Sequence, residues 1–235
     1  KLTPALLSGS SVILKPSSAT PLSALWLADL FREAGLPEGV LSVVTGPSSV
    51  GDHLVSHPDV DKISFTGSTE VGRHIAGIAA QGLKRCSLEL GGKSAAIVLE
   101  DADLASVAGT MVFSALMNSG QACVSQNRIL APRSRYDEVV NALVENVSLM
   151  PVGDPADEGT VFGPLANHKQ KASVEGYIRK GVEEGATIAY GGGEVEGLPE
   201  HVSGGAYVQP TVFRDVDNSM TIAQEEIFGP VLQVI

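Results

Sequence analysis

The chain has 235 residues, 43% of them hydrophobic and 18% charged, with 26 glycines and 13 prolines, a globular composition that excludes disorder and fibrous repeats. Its net charge of −11 and pI near 4.8 would repel phosphate backbones and anionic membranes, so we expect no nucleic-acid partner. No apolar run approaches the roughly 18 residues that span a bilayer, and no signal peptide is visible, so we expect a cytoplasmic protein without membrane contact.

In the first ninety residues, β-rich runs alternate with amphipathic stretches, which predicts a parallel sheet wrapped by helices. One helix opens at Thr20-Pro21 and ends at Gly35. A turn follows at 46–51, then a short helix that ends before Pro58, and another helix starts near Val71. The buried face of the first helix is predicted to carry Leu27, Leu30, Phe31 and Ala34. Strands are predicted at 12–15, 41–45, 62–66 and 85–90.

The pattern changes at Gly91-Gly92, which we interpret as a hinge between two units. Asp101 to Asp103 offer caps for a helix that runs to about Leu116 and is apolar nearly all round, so it is predicted to be buried between layers. Further helices start near Tyr136 and His168, and the glycine-rich stretch 191–205 is predicted to be a surface loop. Strands are predicted at 95–99, 128–131, 187–190, 208–212 and 231–235.

A strand-to-helix junction at 65–70, Phe-Thr-Gly-Ser-Thr-Glu, has the composition of an anion site. Free backbone N–H groups and the helix dipole attract a pyrophosphate there, and glycine permits its close approach. The alternative is that glycine and serine only cap the helix. The segment 46–51, Gly-Pro-Ser-Ser-Val-Gly, lacks the middle glycine of a dinucleotide fingerprint. It is therefore predicted to be a turn, and a fingerprint only with further support.

Two cysteines, Cys86 and Cys123, lie in different contexts and imply no disulfide framework. Cys123 ends the run Asn-Ser-Gly-Gln-Ala-Cys after the apolar helix, and a thiol on a glycine-containing turn can ionise and meet a substrate. The alternative is a buried structural thiol. The five histidines are scattered in polar or loop segments, so a Cys–His protease is not supported by spacing, although folding could bring a histidine close.

Glu89 is flanked by leucines in the run 87–93, Ser-Leu-Glu-Leu-Gly-Gly-Lys. Burying such a carboxylate would raise its pKa and cost free energy unless it has a function or a partner. The residue is therefore a candidate functional carboxylate. The alternative is a structural ion pair with Lys93 at the hinge.

Taken together, these segments resemble the aldehyde dehydrogenase superfamily of NAD(P)-dependent enzymes, in its central portion. The resemblance covers essentially the whole chain and follows the family's order. Five segments carry it, at 12–17 (Val-Ile-Leu-Lys-Pro-Ser), 65–68 (Phe-Thr-Gly-Ser), 88–93 (Leu-Glu-Leu-Gly-Gly-Lys), 120–123 (Gly-Gln-Ala-Cys) and 225–230 (Glu-Glu-Ile-Phe-Gly-Pro).

The resemblance implies oxidation of a small-molecule aldehyde to a carboxylic acid with NAD or NADP. In that mechanism the Cys123 thiolate adds to the aldehyde, and the thiohemiacetal passes a hydride to the nicotinamide and becomes a thioester. Glu89 then activates the water that hydrolyses the thioester. Enzymes that pass the acyl group to coenzyme A typically lack this glutamate, so hydrolysis is favoured over acyl transfer. The family also implies a homo-oligomer when full length, and no metal.

For the cofactor, the resemblance implies that Lys15 contacts the adenosine ribose, while Ser68 and the backbone of Thr66 and Gly67 hold the pyrophosphate. Glu226 anchors the nicotinamide ribose beside Phe228, and Leu90 lends its backbone near the nicotinamide. Gly46 and Val71 line the adenine side. NAD-preferring members often carry a glutamate where this chain has Ser18. Without that charge, repulsion of a 2′-phosphate is relieved, which implies dual use or a preference for NADP.

We therefore expect an α/β fold with a Rossmann-like NAD(P)-binding domain at 1–90 and a second α/β catalytic domain at 91–235, both incomplete. The active site is expected between them. The chain starts without a methionine and stops in a strand-like run, as a fragment would. The family's oxyanion asparagine lies upstream of the region that matches Lys1. A competing interpretation is thus a truncated chain that binds cofactor or protein without turnover.

Overall fold

The computed structural model describes residues 1–235, which form two compact units, Lys1–Gly91 and Gly92–Ile235. Each unit is mixed α/β, as the sequence pattern predicts, and each is described by itself. None of the helices combines the length and apolar content that a bilayer span requires.

The first unit contains two βαβ motifs. Strands β1 and β2 pair in parallel around the helix between them, and β3 and β4 do the same. The elements in order are α1 (Leu2–Leu7), β1 (Val12–Leu14), α2 (Leu22–Glu33), β2 (Leu41–Val43), α3 (Ser48–Ser56), β3 (Lys62–Gly67), α4 (Thr69–Gln81) and β4 (Arg85–Leu90).

Apolar burial in the first unit is small. Its core consists of Ile63, Ile75 and Ala79, with partly buried neighbours that include Phe65 and Leu88. Ile63 lies on β3 and the other two lie on α4, where their i, i+4 spacing puts them on one helix face. The second βαβ motif therefore has a packed centre, whereas α2 buries no residue.

Several local predictions for this unit were wrong. The predicted buried face of α2 is largely exposed, with Leu27 at 36% and Leu30 at 38%, Ala34 exposed and Phe31 only half-buried. The reason is that β1 and β2 form a sheet of only two strands, which covers little of a twelve-residue helix. Helix α3 begins within the predicted turn 46–51, and α1 was not predicted.

The second unit is built on a five-stranded sheet of order β5-β6-β9-β8-β7. All neighbours pair in parallel except β7 and β8, which are antiparallel, so the sheet is mixed rather than wholly parallel. Its elements are β5 (Ala95–Ile97), α5 (Leu104–Leu116), β6 (Arg128–Leu130), α6 (Tyr136–Ser148), α7 (His168–Glu183), β7 (Thr187–Tyr190), β8 (Thr211–Arg214), α8 (Thr221–Gln224) and β9 (Val231–Val234), with short 3-10 turns between them.

The sheet of this unit separates two apolar clusters. Helices α5 and α6 pack in one cluster with Ile129 and Leu232, and α7 and α8 pack in the other with Phe213 and Val231. Strand β9 is buried along its whole length. The second unit therefore holds most of the apolar burial of the chain.

Two predictions for this unit were wrong in position or in burial. Strand β8 begins at Thr211 rather than at Val208, because Pro210 has no N–H to donate to a ladder. Helix α5 is not buried on all sides, since Phe113 is 58% exposed although Val112 and Leu116 are fully buried. A 3-10 turn at Glu200–Val202 interrupts the predicted loop 191–205, and α8 was not predicted.

Candidate functional site

The carboxyl edge of the β3–β4 pair gathers several predicted site residues. In the parallel register Thr66 lies opposite Glu89, and Gly67 lies opposite Leu90. The next residue, Ser68, is the N-cap of α4, and its Oγ accepts a hydrogen bond of 3.3 Å from the Val71 N–H. An exposed serine at the N-terminus of a thirteen-residue helix, next to free backbone N–H groups, is the arrangement that holds an anion.

Glycine is required by packing at two points of this edge. A Cβ on Gly67 would collide with the ring of Phe65, and one on Gly72 would lie 2.5 Å from a methyl carbon of Leu90. The first turn of α4 can therefore approach the end of β4 closely. Leu90 is held against the helix that Ser68 caps.

The β1–β2 pair presents a second group of predicted residues at its own carboxyl edge. Ser18 Oγ donates a hydrogen bond of 2.9 Å to the Gly46 carbonyl oxygen, which ties the segment after β1 to the segment after β2. Lys15 donates from Nζ to the Pro16 carbonyl oxygen at 3.3 Å, and its side chain passes beside Gly51. Lys15, Ser18 and Gly46 thus lie together, although they are up to 31 positions apart in sequence.

Glu89 is exposed in the structure, and this corrects the expectation of a buried carboxylate. Residues on a strand alternate between faces, so the half-buried Leu88 and Leu90 pack inward while Glu89 points to the other face. With only two strands in this sheet, nothing in the first unit covers that face. The carboxylate is therefore accessible to water.

In the second unit, Cys123 is a free, exposed thiol that follows a tightly wound turn. Three successive residues have left-handed backbone angles, with φ of 53° at Asn118, 54° at Ser119 and 72° at Gly120. Such angles are unfavourable for the first two side chains and persist only where surrounding contacts hold them. The prediction that the thiol lies on an exposed, glycine-containing turn is confirmed, and the alternative of a buried thiol is excluded.

Hydrogen bonds from the segment 163–166 hold this turn in place. The buried Ser119 donates from Oγ to the Gly163 carbonyl oxygen at 2.9 Å, and Gln121 accepts on Oε1 from the Ala166 N–H at 3.0 Å. The Asn118 amide donates to the Gln121 carbonyl oxygen at 3.1 Å. These contacts restrain the turn that leads into Cys123.

The thiol turn also packs against the segment 225–230. A Cβ on Gly120 would collide with the Gly229 carbonyl group, so the two backbones meet at a distance that only glycine allows. Phe228, just before Gly229, has φ of 55°. The structure therefore packs the turn that precedes Cys123 against the segment that carries Glu226 and Phe228.

Lys93, which the sequence offers as a possible partner for Glu89, lies in buried surroundings that contain other charged side chains. Its Nζ is buried and makes no hydrogen bond. Burial and the nearby positive charge of Arg128 lower the pKa of Lys93 to about 7, and the negative charge of Glu226 partly opposes this. The Gly92 N–H approaches Glu226 Oε1 at 3.4 Å, so Glu226 is flanked by Gly92 and Lys93.

Helix α7 supplies contacts that sequence reasoning missed. Gln170 donates from Nε2 to the carbonyl oxygens of Phe228 at 2.9 Å and Ile227 at 3.2 Å. Tyr177 donates its phenol proton to Glu225 Oε2 at 2.8 Å. The spacing i, i+7 puts both side chains on one face of the helix. That face fixes the segment that carries Glu226 and Phe228.

Each unit thus assembles a subset of the predicted residues. The first holds Lys15, Ser18, Gly46, Thr66, Gly67, Ser68, Val71, Glu89 and Leu90, and the second holds Cys123, Glu226 and Phe228. Val71 is exposed on the first turn of α4, where its N–H is used by the cap. No group of three His, Cys, Asp or Glu side chains is placed to hold a metal ion.

Comparison with known proteins identifies the family. The model of the aldehyde dehydrogenase family matches residues 1–235, the entire chain. The chain belongs to the aldehyde dehydrogenase family. It is 52% identical over 235 residues to geranial dehydrogenase of Castellaniella defragrans and 46% identical over 236 residues to betaine aldehyde dehydrogenase of Rhizobium leguminosarum bv. trifolii. It covers 48% of each, so it spans about half the length of these aldehyde dehydrogenases.

Solved aldehyde dehydrogenase structures share the fold. A Mycobacterium tuberculosis aldehyde dehydrogenase in complex with NAD+ superposes with a TM-score of 0.96 at 58% identity, with all of this chain and 48% of that one covered. A mutant of aldehyde dehydrogenase C from Pseudomonas syringae, in complex with NAD+ and octanal, gives a TM-score of 0.96 at 46% identity with the same coverage. These likenesses confirm the α/β fold class.

Proposed function

We propose that the whole protein oxidises an aldehyde to a carboxylic acid with NAD(P)+, with Cys123 as nucleophile and Glu89 as general base. The observation that carries the proposal is the exposed Cys123 thiol on a turn packed against the segment of Glu226 and Phe228. A thiol so placed can meet an aldehyde, and contacts of the preceding turn restrain the backbone that presents it.

The first unit provides residues that fit a dinucleotide. The exposed Ser68 and the N-terminus of α4 would hold the pyrophosphate, and Lys15, Ser18 and Gly46 would meet the adenosine end. In the second unit the Glu226 carboxylate would accept hydrogen bonds from the hydroxyls of the nicotinamide ribose. When bound, NAD(P)+ supplies the hydride acceptor, and the protein supplies position and electrostatics.

The chain's own residues account for the rest of the chemistry. The Cys123 thiolate would form a C–S bond to the carbonyl carbon and give a thiohemiacetal, and bound NAD(P)+ would accept the hydride whose loss leaves a thioester. Glu89 takes a proton from a water molecule that attacks the thioester carbon, and the C–S bond breaks to release the acid and the thiolate. Transfer of the acyl group to coenzyme A instead of water is the second candidate, which the presence of Glu89 disfavours.

Substitution of the two cysteines tests the nucleophile. With a panel of aldehydes and NAD(P)+, Cys123→Ala should lose at least about 10⁴-fold in the rate of reduced nicotinamide formation. Cys86→Ala changes the other free cysteine, which is half-buried on β4, and should keep the rate near that of wild type. A fully active Cys123→Ala protein would remove the proposed nucleophile.

Substitution of carboxylates tests the base. Glu89→Gln should leave the first burst of reduced nicotinamide in place but slow turnover by about 10² or more, with an acyl adduct on Cys123 detectable by mass spectrometry. Glu38→Gln, at an exposed site in the same unit, is the control. A rate that depends on coenzyme A would support acyl transfer, and cofactor binding without turnover would support a binding-only protein.

A further inference from the structure

We infer that Tyr177 is a positioning residue for the cofactor, acting through Glu225 on the direction in which Glu226 points. The inference deepens the proposed function and rests on it, because it assigns to Glu226 the nicotinamide ribose. It concerns two residues, Tyr177 and Glu225, that sequence reasoning did not assign to the site.

The geometry starts from two consecutive carboxylates. Glu225 has an extended backbone, with φ of −104° and ψ of 148°, directly after the short helix α8. Consecutive side chains in extended backbone point to opposite sides. The side that receives Glu225 therefore decides the side that Glu226 faces.

Each carboxylate has its own neighbours. Glu225 accepts the phenol proton of Tyr177 at 2.8 Å, whereas Glu226 lies against the Gly92 N–H at 3.4 Å and near Lys93. The first contact is the shorter and comes from a sixteen-residue helix. Without the Tyr177–Glu225 hydrogen bond, a local rotation of the backbone could turn Glu225 toward Gly92 and Glu226 toward α7. The Glu226 carboxylate would then lose its fixed direction.

The phenol is a permanent donor at this contact. Burial, together with the hydrogen bond to Glu225 and the negative charges of Glu225 and Glu226, raises the pKa of Tyr177 to about 12. The phenol therefore keeps its proton across the pH range in which an enzyme would work. Gln170, two turns earlier on the same helix face, holds the next carbonyl groups along the segment.

The test is a double-mutant cycle read by cofactor binding. Fluorescence titration with NADH and NADPH should show that Tyr177→Phe weakens the Kd about tenfold, the lower end of what a hydrogen bond to a charged group contributes. Glu225→Ala should weaken it to a similar degree. The double variant should be no weaker than either single variant, because both changes break the same contact. In turnover, the loss should appear in KM for NAD(P)+ with kcat within about twofold.

One further variant serves as a control. Tyr190→Phe, on β7 and outside the segment, is the matched control and should leave the Kd unchanged. Glu225 is exposed, so Glu225→Ala keeps the test valid even if Tyr177→Phe unfolds. Binding by both single variants within twofold of wild type, or additive losses in the double variant, would overturn the inference alone. A wild-type protein that binds neither NADH nor NADPH would overturn the proposed function and this inference together.

Discussion

Ser18 is the residue at which the choice between NAD and NADP is expected to be made. Its hydroxyl is bound to the Gly46 carbonyl oxygen at the carboxyl edge of β1 and β2, close to Lys15. A glutamate here would place a negative charge near a 2′-phosphate, whereas serine adds no charge beside Lys15. The side chain at this position should therefore control discrimination without affecting the chemical step.

Ser18→Glu should move the preference toward NAD. We expect the Kd for NADPH to rise about tenfold or more relative to that for NADH, measured by titration of both cofactors. Ser17→Glu, at the exposed neighbouring position, tests whether any added charge has the same effect. If wild-type protein binds NADH far more tightly than NADPH, the proposed role of Ser18 is wrong.

Lys93 carries a buried ammonium group whose charge should make stability depend on pH. Its pKa is about 7 in the folded state, lowered by burial and by Arg128, and near 10.5 in the unfolded chain. Between these values the unfolded state binds the extra proton, so stability rises with pH across this window. Below pH about 7 both states are charged and the full cost of burying the ammonium is present.

Lys93→Met should therefore stabilise the protein most near about pH 6, and the gain should fade toward about pH 10, by up to about 1.4 kcal/mol for each pH unit crossed. Urea unfolding at a series of pH values measures this. Lys169→Met, at an exposed site on α7, should show no such trend. A gain that is constant with pH would show that the side chain is not titrating in this window.

At the scale of elements, the helix α4 combines a structural and a chemical role in one residue. Ser68 caps the helix, and it is also proposed to bind pyrophosphate. The sequence left both interpretations open. A residue that still caps the helix but carries a negative charge separates the two interpretations. It should preserve the stability of the helix, and it should weaken cofactor binding only if Ser68 lies at the pyrophosphate.

Ser68→Ala and Ser68→Asp separate the two roles. Alanine should lower the free energy of unfolding by about 1 kcal/mol through loss of the cap. Aspartate caps equally well, so stability should stay near that of wild type, but its charge should weaken NAD(P) binding about tenfold or more. Calorimetry and cofactor titration provide the two measurements. If Ser68→Asp binds NAD(P) as wild type does, Ser68 is only a cap.

The order of strands and long helices was predictable because period and turn residues are local signals. What failed depends on tertiary context. The exposure of Leu27 on α2 and Phe113 on α5 reflects how much sheet or helix covers each element, which apolar content alone does not encode. The late start of β8 could have been predicted, since Pro210 cannot join the interior of a ladder.

In the candidate site, too, features with local sequence signals were predictable and those that depend on tertiary contacts were not. Cys123 and Ser68 stand in recognisable runs, and their exposed positions follow from turns and caps. The contacts of Gln170 and Tyr177 with the segment 225–228 span 48 to 58 residues and carry no local signal. Lys93 was visible as a charge, but its burial beside Arg128 follows from the pairing of β5 with β6. Only the fold could reveal these partners.

At the scale of the whole molecule, apolar burial is divided unequally between the two units. Strands β8 and β9 are almost wholly buried, whereas β1 and β2 contain no buried residue. Local opening is governed by how much buried surface must be exposed. The two units should therefore differ in local stability.

Hydrogen exchange measures this difference. Amides of β8 and β9 should exchange slowest, those of β1 and β2 fastest, and those of β3 and β4, backed by Ile63 and Ile75, at intermediate rates. Because a ligand protects the structure that binds it, saturating NAD(P)+ should slow exchange most in β3, β4 and the first turn of α4. Protection of β1 and β2 equal to that of β9 without cofactor would contradict the link between burial and local stability. A cofactor effect confined to β7 and β8 would instead contradict the placement of the pyrophosphate at Ser68.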